Sequence, residues 1–131
     1  MKIQSRTLSV LPEYFAVCRL APDKTIPTWA MPRQASFFAV TQTKDELSLI
    51  CPQDCIPEDI NIIADKGWNC LKLEGPFELD EPGVLASLVM PLAQAGISVF
   101  AEATYDTDYL LINNLDKAIK TLENLDHKII R

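Results

Sequence analysis

Asp80-Glu81-Pro82-Gly83-Val84-Leu85 is the stretch from which this chain is best read. Asp80 suits an N-cap, and Pro82 stands where a first-turn proline is tolerated. Gly83 lets another group approach the backbone. Behind it, Val84, Leu85, Leu88, Val89 and Leu92 recur at helical spacing and form one apolar stripe. The pattern predicts an amphipathic helix over residues 82–95, stopped at Gly96. The free N–H groups of such a helix start, beside a bare glycine, suit a carboxylate. An ordinary capped helix carries the same pattern, so the stretch marks a candidate site for a small anionic or zwitterionic molecule without requiring one.

Working outward, residues 68–74 before this loop alternate as a strand, and residues 97–101 after the helix do the same. Tyr105-Asp106-Thr107-Asp108 is a tight polar turn, and residues 109–112 return as the second arm of a hairpin. Leu115, Ala118, Ile119, Leu122 and Leu125 then give a second amphipathic helix over 115–125, followed by a short strand over 128–130. The second half thus reads strand–helix–strand–strand–helix–strand, the order of the ferredoxin-like split unit.

The first half follows the same order with a degenerate first helix. Residues 7–20 read as extended chain interrupted at Pro12, and residues 26–31 as a single helical turn within a proline-punctuated loop. Residues 37–41 and 47–51 form a hairpin around the turn Thr43-Lys44-Asp45-Glu46. Pro57-Glu58-Asp59 is expected to open a short helix through Ala64, ended by Gly67. The expected fold is α+β, with two tandem ferredoxin-like modules over 1–66 and 67–131 and helices on one face of each antiparallel sheet. The strand after Gly67 suits either module, or both.

Composition narrows the function classes. With 131 residues and 48% apolar content the chain can bury a core, while a net charge of −6 argues against nucleic acid and anionic membrane surfaces as partners. The polar N-terminus lacks the apolar run of a secretory signal, and no stretch is long and apolar enough for a membrane helix, so a cytoplasmic protein is expected. Cys18, Cys51, Cys55 and Cys70 are then expected as free, buried thiols. Cys51 and Cys55 lack a second ligand pair, so no metal site is expected; the single histidine, His127, is expected to face solvent.

The loop at 80–85, Pro91-Leu92-Ala93-Gln94-Ala95-Gly96-Ile97-Ser98, and Thr104-Tyr105-Asp106-Thr107-Asp108-Tyr109 together resemble the ACT domain, a small ligand-sensing βαββαβ module. The resemblance is to a branch of small bacterial tandem-ACT proteins, similar to the regulatory modules of aspartate kinase and to the animal cytosolic arginine sensor. Residues 9–20 and 46–51 look like that branch's first module, so nearly the whole chain is covered. The resemblance implies regulation by an amino acid held between two ACT modules, with no catalytic domain accompanying them in this chain. Carried over residue by residue, Glu81, Gly83, Val84 and Leu85 would line one side of the pocket. Ser48 of the first module would face it, and Thr104 and Asp108 would close it. The acids favour a basic amino acid such as arginine or lysine, or else pair with the ligand's α-ammonium. Each of these residues also has a plainer role: Asp108 in its turn, Ser48 on a strand, Glu81 beside a helix dipole.

An enzyme would need an activated nucleophile, a metal site or a phosphate loop, and none of these patterns is present in the sequence. No cofactor is expected. The alternative to a sensor is an adaptor that binds another chain through its sheet edges and keeps a vestigial pocket. Trp29, Phe37 and Phe38, together with open strand edges, point to a two-fold dimer. A monomer whose loop over 21–35 covers the sheet is the competing arrangement.

Overall fold

The computed structural model describes residues 4–75 and 82–131. Eight strands and two α-helices follow one another as β1 Thr7–Val10, β2 Phe15–Leu20, β3 Ala39–Gln42, β4 Leu47–Pro52, β5 Ile63–Leu73, α1 Val84–Gln94, β6 Val99–Ala103, β7 Asp108–Ile112, α2 Leu115–Glu123 and β8 Lys128–Ile130. By its contacts the chain forms two compact units, one spanning Pro12–Trp68 and the other drawing on Met1–Leu11 and Asn69–Arg131.

In the N-terminal unit the strands run β3-β4-β2-β5, all antiparallel. Residues 28–30 form a single 3-10 turn, as the prolines around them dictate. It brings Ala30 and Trp29 onto the cluster of Ala16, Cys18, Leu47 and Leu49. Phe37 packs edge-on against Phe15, with ring centroids 5.9 Å apart. Trp29 and Phe37 are therefore largely covered within their own unit, and Phe38, 37% exposed, is what remains of the expected apolar surface.

The helix expected over residues 57–64 does not form. A single turn closes from the Ile60 N–H to the Pro57 carbonyl, and β5 begins at Ile63. Ile60, Ile62 and Ile63 explain the outcome: β-branched side chains lose χ1 freedom in a helix and pack well on a pleated surface. Gly67, expected as a helix stop, lies instead in a bulge of β5, where Asp65 and Trp68 pair with Val17 and Phe15.

Strand β5 serves both units. Its first half pairs with β2, and its second half pairs with β7 and β1. The C-terminal unit orders its strands β6-β7-β5-β1-β8, with β1 antiparallel to β5 and parallel to β8. The N-terminal strand is thus inserted between the first and last strands of the βαββαβ order. Leu71 and Leu73 of β5, Leu8 of β1, and Leu110 and Ile112 of β7 meet Val84, Leu88 and Leu92 of α1 and Ala118 and Leu122 of α2 in one core. These are the positions that a period of two on the strands and of 3.6 on the helices brings to one side.

Helix ends follow from local chemistry. The Asn114 side chain caps α2 by accepting from the Lys117 N–H at 3.2 Å. At the end of α1, the Ile97 N–H reaches the Leu92 carbonyl and the Gly96 N–H the Ala93 carbonyl, a Schellman closure. The N-cap of α1 is Gly83, with φ +80°, rather than the expected Asp80, which lies outside the described residues. Pro82 accordingly stands ahead of the cap.

His127 does not face solvent as expected: it is 4% exposed. Its Nδ1 accepts the Arg6 N–H at 3.0 Å, tying the turn before β8 to the chain entering β1. Burial pushes its pKa below the usual imidazole value.

Candidate functional site

A cleft of about 660 Å³ opens in the C-terminal unit beside the start of α1. Gly83, Val84, Leu85 and Ala86 line it from the helix end, and Val89 and Met90 from the next turn. Val99, Ala101 and Ala103 contribute from β6, where a spacing of two brings them to one face. Thr104, Tyr105, Thr107 and Asp108 complete it from the β6–β7 turn.

The helix end is electrostatically bare among the described residues. No side chain caps Gly83, and the first turn carries no acid. Its leading N–H groups lack intrahelical acceptors by the geometry of an α-helix, and they carry the positive end of its dipole. A φ of +80° at residue 83 requires glycine in practice, because a Cβ there meets the following carbonyl.

The turn is rigid. The Thr104 N–H donates to the Thr107 carbonyl at 2.8 Å, and the Thr104 hydroxyl donates to the same oxygen at 2.9 Å. Thr104 Oγ1 in turn accepts the Thr107 N–H at 3.2 Å. The buried Thr107 hydroxyl donates to the Leu73 carbonyl on β5. Asp108 follows directly, half-buried, and no hydrogen bond or ion pair engages its carboxylate among the described residues. Desolvation raises its pKa above the ordinary carboxylate value.

Of the residues singled out from the sequence, Gly83, Val84, Leu85, Thr104 and Asp108 lie on this one cleft. Glu81 lies outside the described residues. Ser48 belongs to the other unit, on β4, between Arg19 and Thr41 in the ladder. Thr104, read as a hydroxyl partner for a ligand, spends that hydroxyl on its own turn. The sequence reading missed Ala86, Val89, Met90, Val99, Ala101, Ala103, Tyr105 and Thr107 as lining residues. The period-two run Val99-x-Ala101-x-Ala103 was the available signal for three of them.

Among the described residues no three His, Cys, Asp or Glu side chains come together as a metal site, and no helix is long and apolar enough to cross a membrane. Cys18, Cys51 and Cys70 are buried free thiols, while Cys55 is half-buried.

Residues 63–124 match the family model for the ACT domain, and residues 13–59 match a second model, for an N-terminal domain. Protein Atu0741 of Agrobacterium tumefaciens, whose crystal structure is known, is 37% identical, with a TM-score of 0.88 over 97% of this chain and 93% of that one. The regulatory subunit of aspartate kinase from Thermus flavus shares the fold at 10% identity, with a TM-score of 0.60 over 96% of this chain and 99% of that one. The human cytosolic arginine sensor for mTORC1 subunit 1 is 29% identical over 97 residues, which take in 70% of this chain. A second human relative, CASTOR3P, is 29% identical over 94 residues, 63% of this chain. The chain spans less than two thirds of the length of these curated relatives, 30% of the sensor and 58% of CASTOR3P.

Proposed function

Because the chain belongs to the ACT-domain family, we propose that it is a regulatory module that binds a free amino acid in the α1 cleft and performs no chemistry of its own. The observation that carries this reading is the pairing of unlike ends within one cavity. Among the described residues no side chain caps the N–H groups at Gly83, Val84 and Leu85, which suit a carboxylate, and none engages the Asp108 carboxylate, which suits an ammonium. An α-amino acid is a small molecule that presents both. Glu81 and Ser48 are proposed as further contacts on the strength of the family resemblance.

The family match and the arginine sensor among the relatives support an amino acid over other zwitterions. The same relative, cytosolic by name, supports a cytoplasmic location. The output is a conformational or assembly change read by a separate protein. A two-fold dimer is the proposed assembly, supported by the outer edges of β3, β6 and β8, each of which has one partner strand within its unit. In sedimentation equilibrium, a single 14.7 kDa species at high micromolar concentration would refute the dimer.

Thermal unfolding with each of the twenty amino acids tests the binding reading. A ligand present at about 100 times its Kd stabilises the fold by about 2.7 kcal/mol. At least one amino acid is expected to raise the midpoint saturably. A flat response across the panel at millimolar concentration would point to the adaptor reading instead.

A further inference from the structure

With the α1 cleft read as an amino-acid site, on which this inference rests, its lining bears on which amino acid it takes. The long walls are hydrocarbon: Val89 and Met90 from α1, and Val99, Ala101 and Ala103 from β6. Both threonine hydroxyls among its lining are already engaged, Thr104 within its turn and Thr107 on the Leu73 carbonyl. Among the described lining residues, Asp108 is the one side chain charged at neutral pH.

One carboxylate can neutralise one ammonium, and every amino acid brings its α-ammonium. A cationic side chain would then lie against the hydrocarbon of Val89, Val99 and the alanines, with no second charged acceptor among the described lining residues, and desolvating an unpaired charge is costly. An anionic side chain would add a like charge to a site that already holds Asp108. An apolar side chain faces neither cost and removes the exposed hydrocarbon of the walls from water. We propose that this cleft selects amino acids with sizeable apolar side chains over those with charged ones. Ala101 and Ala103 set the size limit, since their methyl groups leave the cleft wide where a larger residue would fill it.

Isothermal titration of the full chain with L-leucine, L-isoleucine, L-methionine and L-phenylalanine, beside L-arginine, L-lysine and L-glutamate, decides the matter. The apolar set is expected to bind at least tenfold more tightly than the charged set. In Ala101→Phe, affinity for leucine and phenylalanine should fall at least tenfold while that for alanine changes little. Ala101 is exposed on an edge strand, which makes the substitution tolerable, and Ala103→Val serves as a second, smaller filling. Arginine or lysine binding as tightly as leucine would overturn the selectivity and leave the amino-acid reading standing. Equal affinity of both filled variants for large apolar ligands would overturn the assignment of the walls. Heat-silent titrations across all seven would overturn this inference, and the amino-acid reading falls with it only where none of the twenty amino acids shifts the thermal midpoint.

Discussion

The buried hydroxyl of Thr107 donates to the carbonyl of Leu73, binding the β6–β7 turn to the strand at the centre of the C-terminal sheet. The bond links residues 34 apart in sequence, and it holds Asp108 where β7 starts along the cleft. Thr107→Val keeps the shape and removes the donor. A buried carbonyl left without its partner costs about 1–3 kcal/mol. Urea denaturation should show a loss in that range, with Thr107→Ser retaining most of the wild-type stability. A Thr107→Val protein as stable as the wild type would mean that the bond contributes little.

Asp108 is expected to trade stability for binding. Its folded-state pKa is raised by desolvation, so its protonated form is the one the fold favours. The contribution to stability is therefore full below the unfolded-state pKa and is lost as pH rises through the folded-state value. At neutral pH the ionised group is a burden on the free protein. Asp108→Asn should unfold at the same temperature as the wild type or higher, yet bind amino acids at least about tenfold more weakly, through loss of a charge-assisted bond. Parallel melting and titration of the variant check both halves.

His127 sets an acid limit. Burial lowers its pKa from the ordinary 6.5, so the unfolded chain takes up this proton before the folded one does. Its neutral form supports the fold fully above about pH 6.5, and that support is lost as pH falls toward the depressed folded-state value. Denaturation midpoints measured from pH 7.5 to 5 should decline through this window. His127→Asn, which keeps an acceptor for the Arg6 N–H, should flatten the decline; an unchanged slope in that variant would assign it to other groups.

The four thiols should separate by burial. Cys18, Cys51 and Cys70 are buried and Cys55 half-buried. Burial and the nearby acids Asp54 and Glu13 push the Cys55 thiol up, so even this one should react slowly. Iodoacetamide on folded protein should add one label, at Cys55, by intact-mass and peptide analysis, and four after denaturation. A second label at Cys18 or Cys51 on the folded protein would show that the N-terminal unit opens, and one at Cys70 that the C-terminal unit does.

Much of the C-terminal unit was legible because its signals are local. Helical spacing from Val84 to Leu92 and from Leu115 to Leu122, with Gly96 as a stop, locates both helices to within two residues. The failures were non-local or ambiguous. Pro57-Glu58-Asp59 looks like a helix start, but the isoleucines behind it commit the chain to β5. That β1 pairs with β5 and β8 depends on contacts more than 60 residues away, which no window of sequence reveals. His127 is polar and solitary, and only the Arg6 N–H across the fold gives it a reason to be buried. For the cleft, glycine at a helix start marked one wall, while the other wall needed β6 to be placed beside α1 before Ala101 and Ala103 meant anything.

Binding in the α1 cleft is tested most directly by a two-dimensional amide NMR titration of the labelled chain with the best-stabilising amino acid. Saturable shifts are expected at the amides of Gly83, Val84, Leu85 and Ala86 and at those of Thr104 through Asp108, the two sides of one cleft. A spectrum that does not move, or shifts confined to the Pro12–Trp68 unit, would contradict amino-acid binding there.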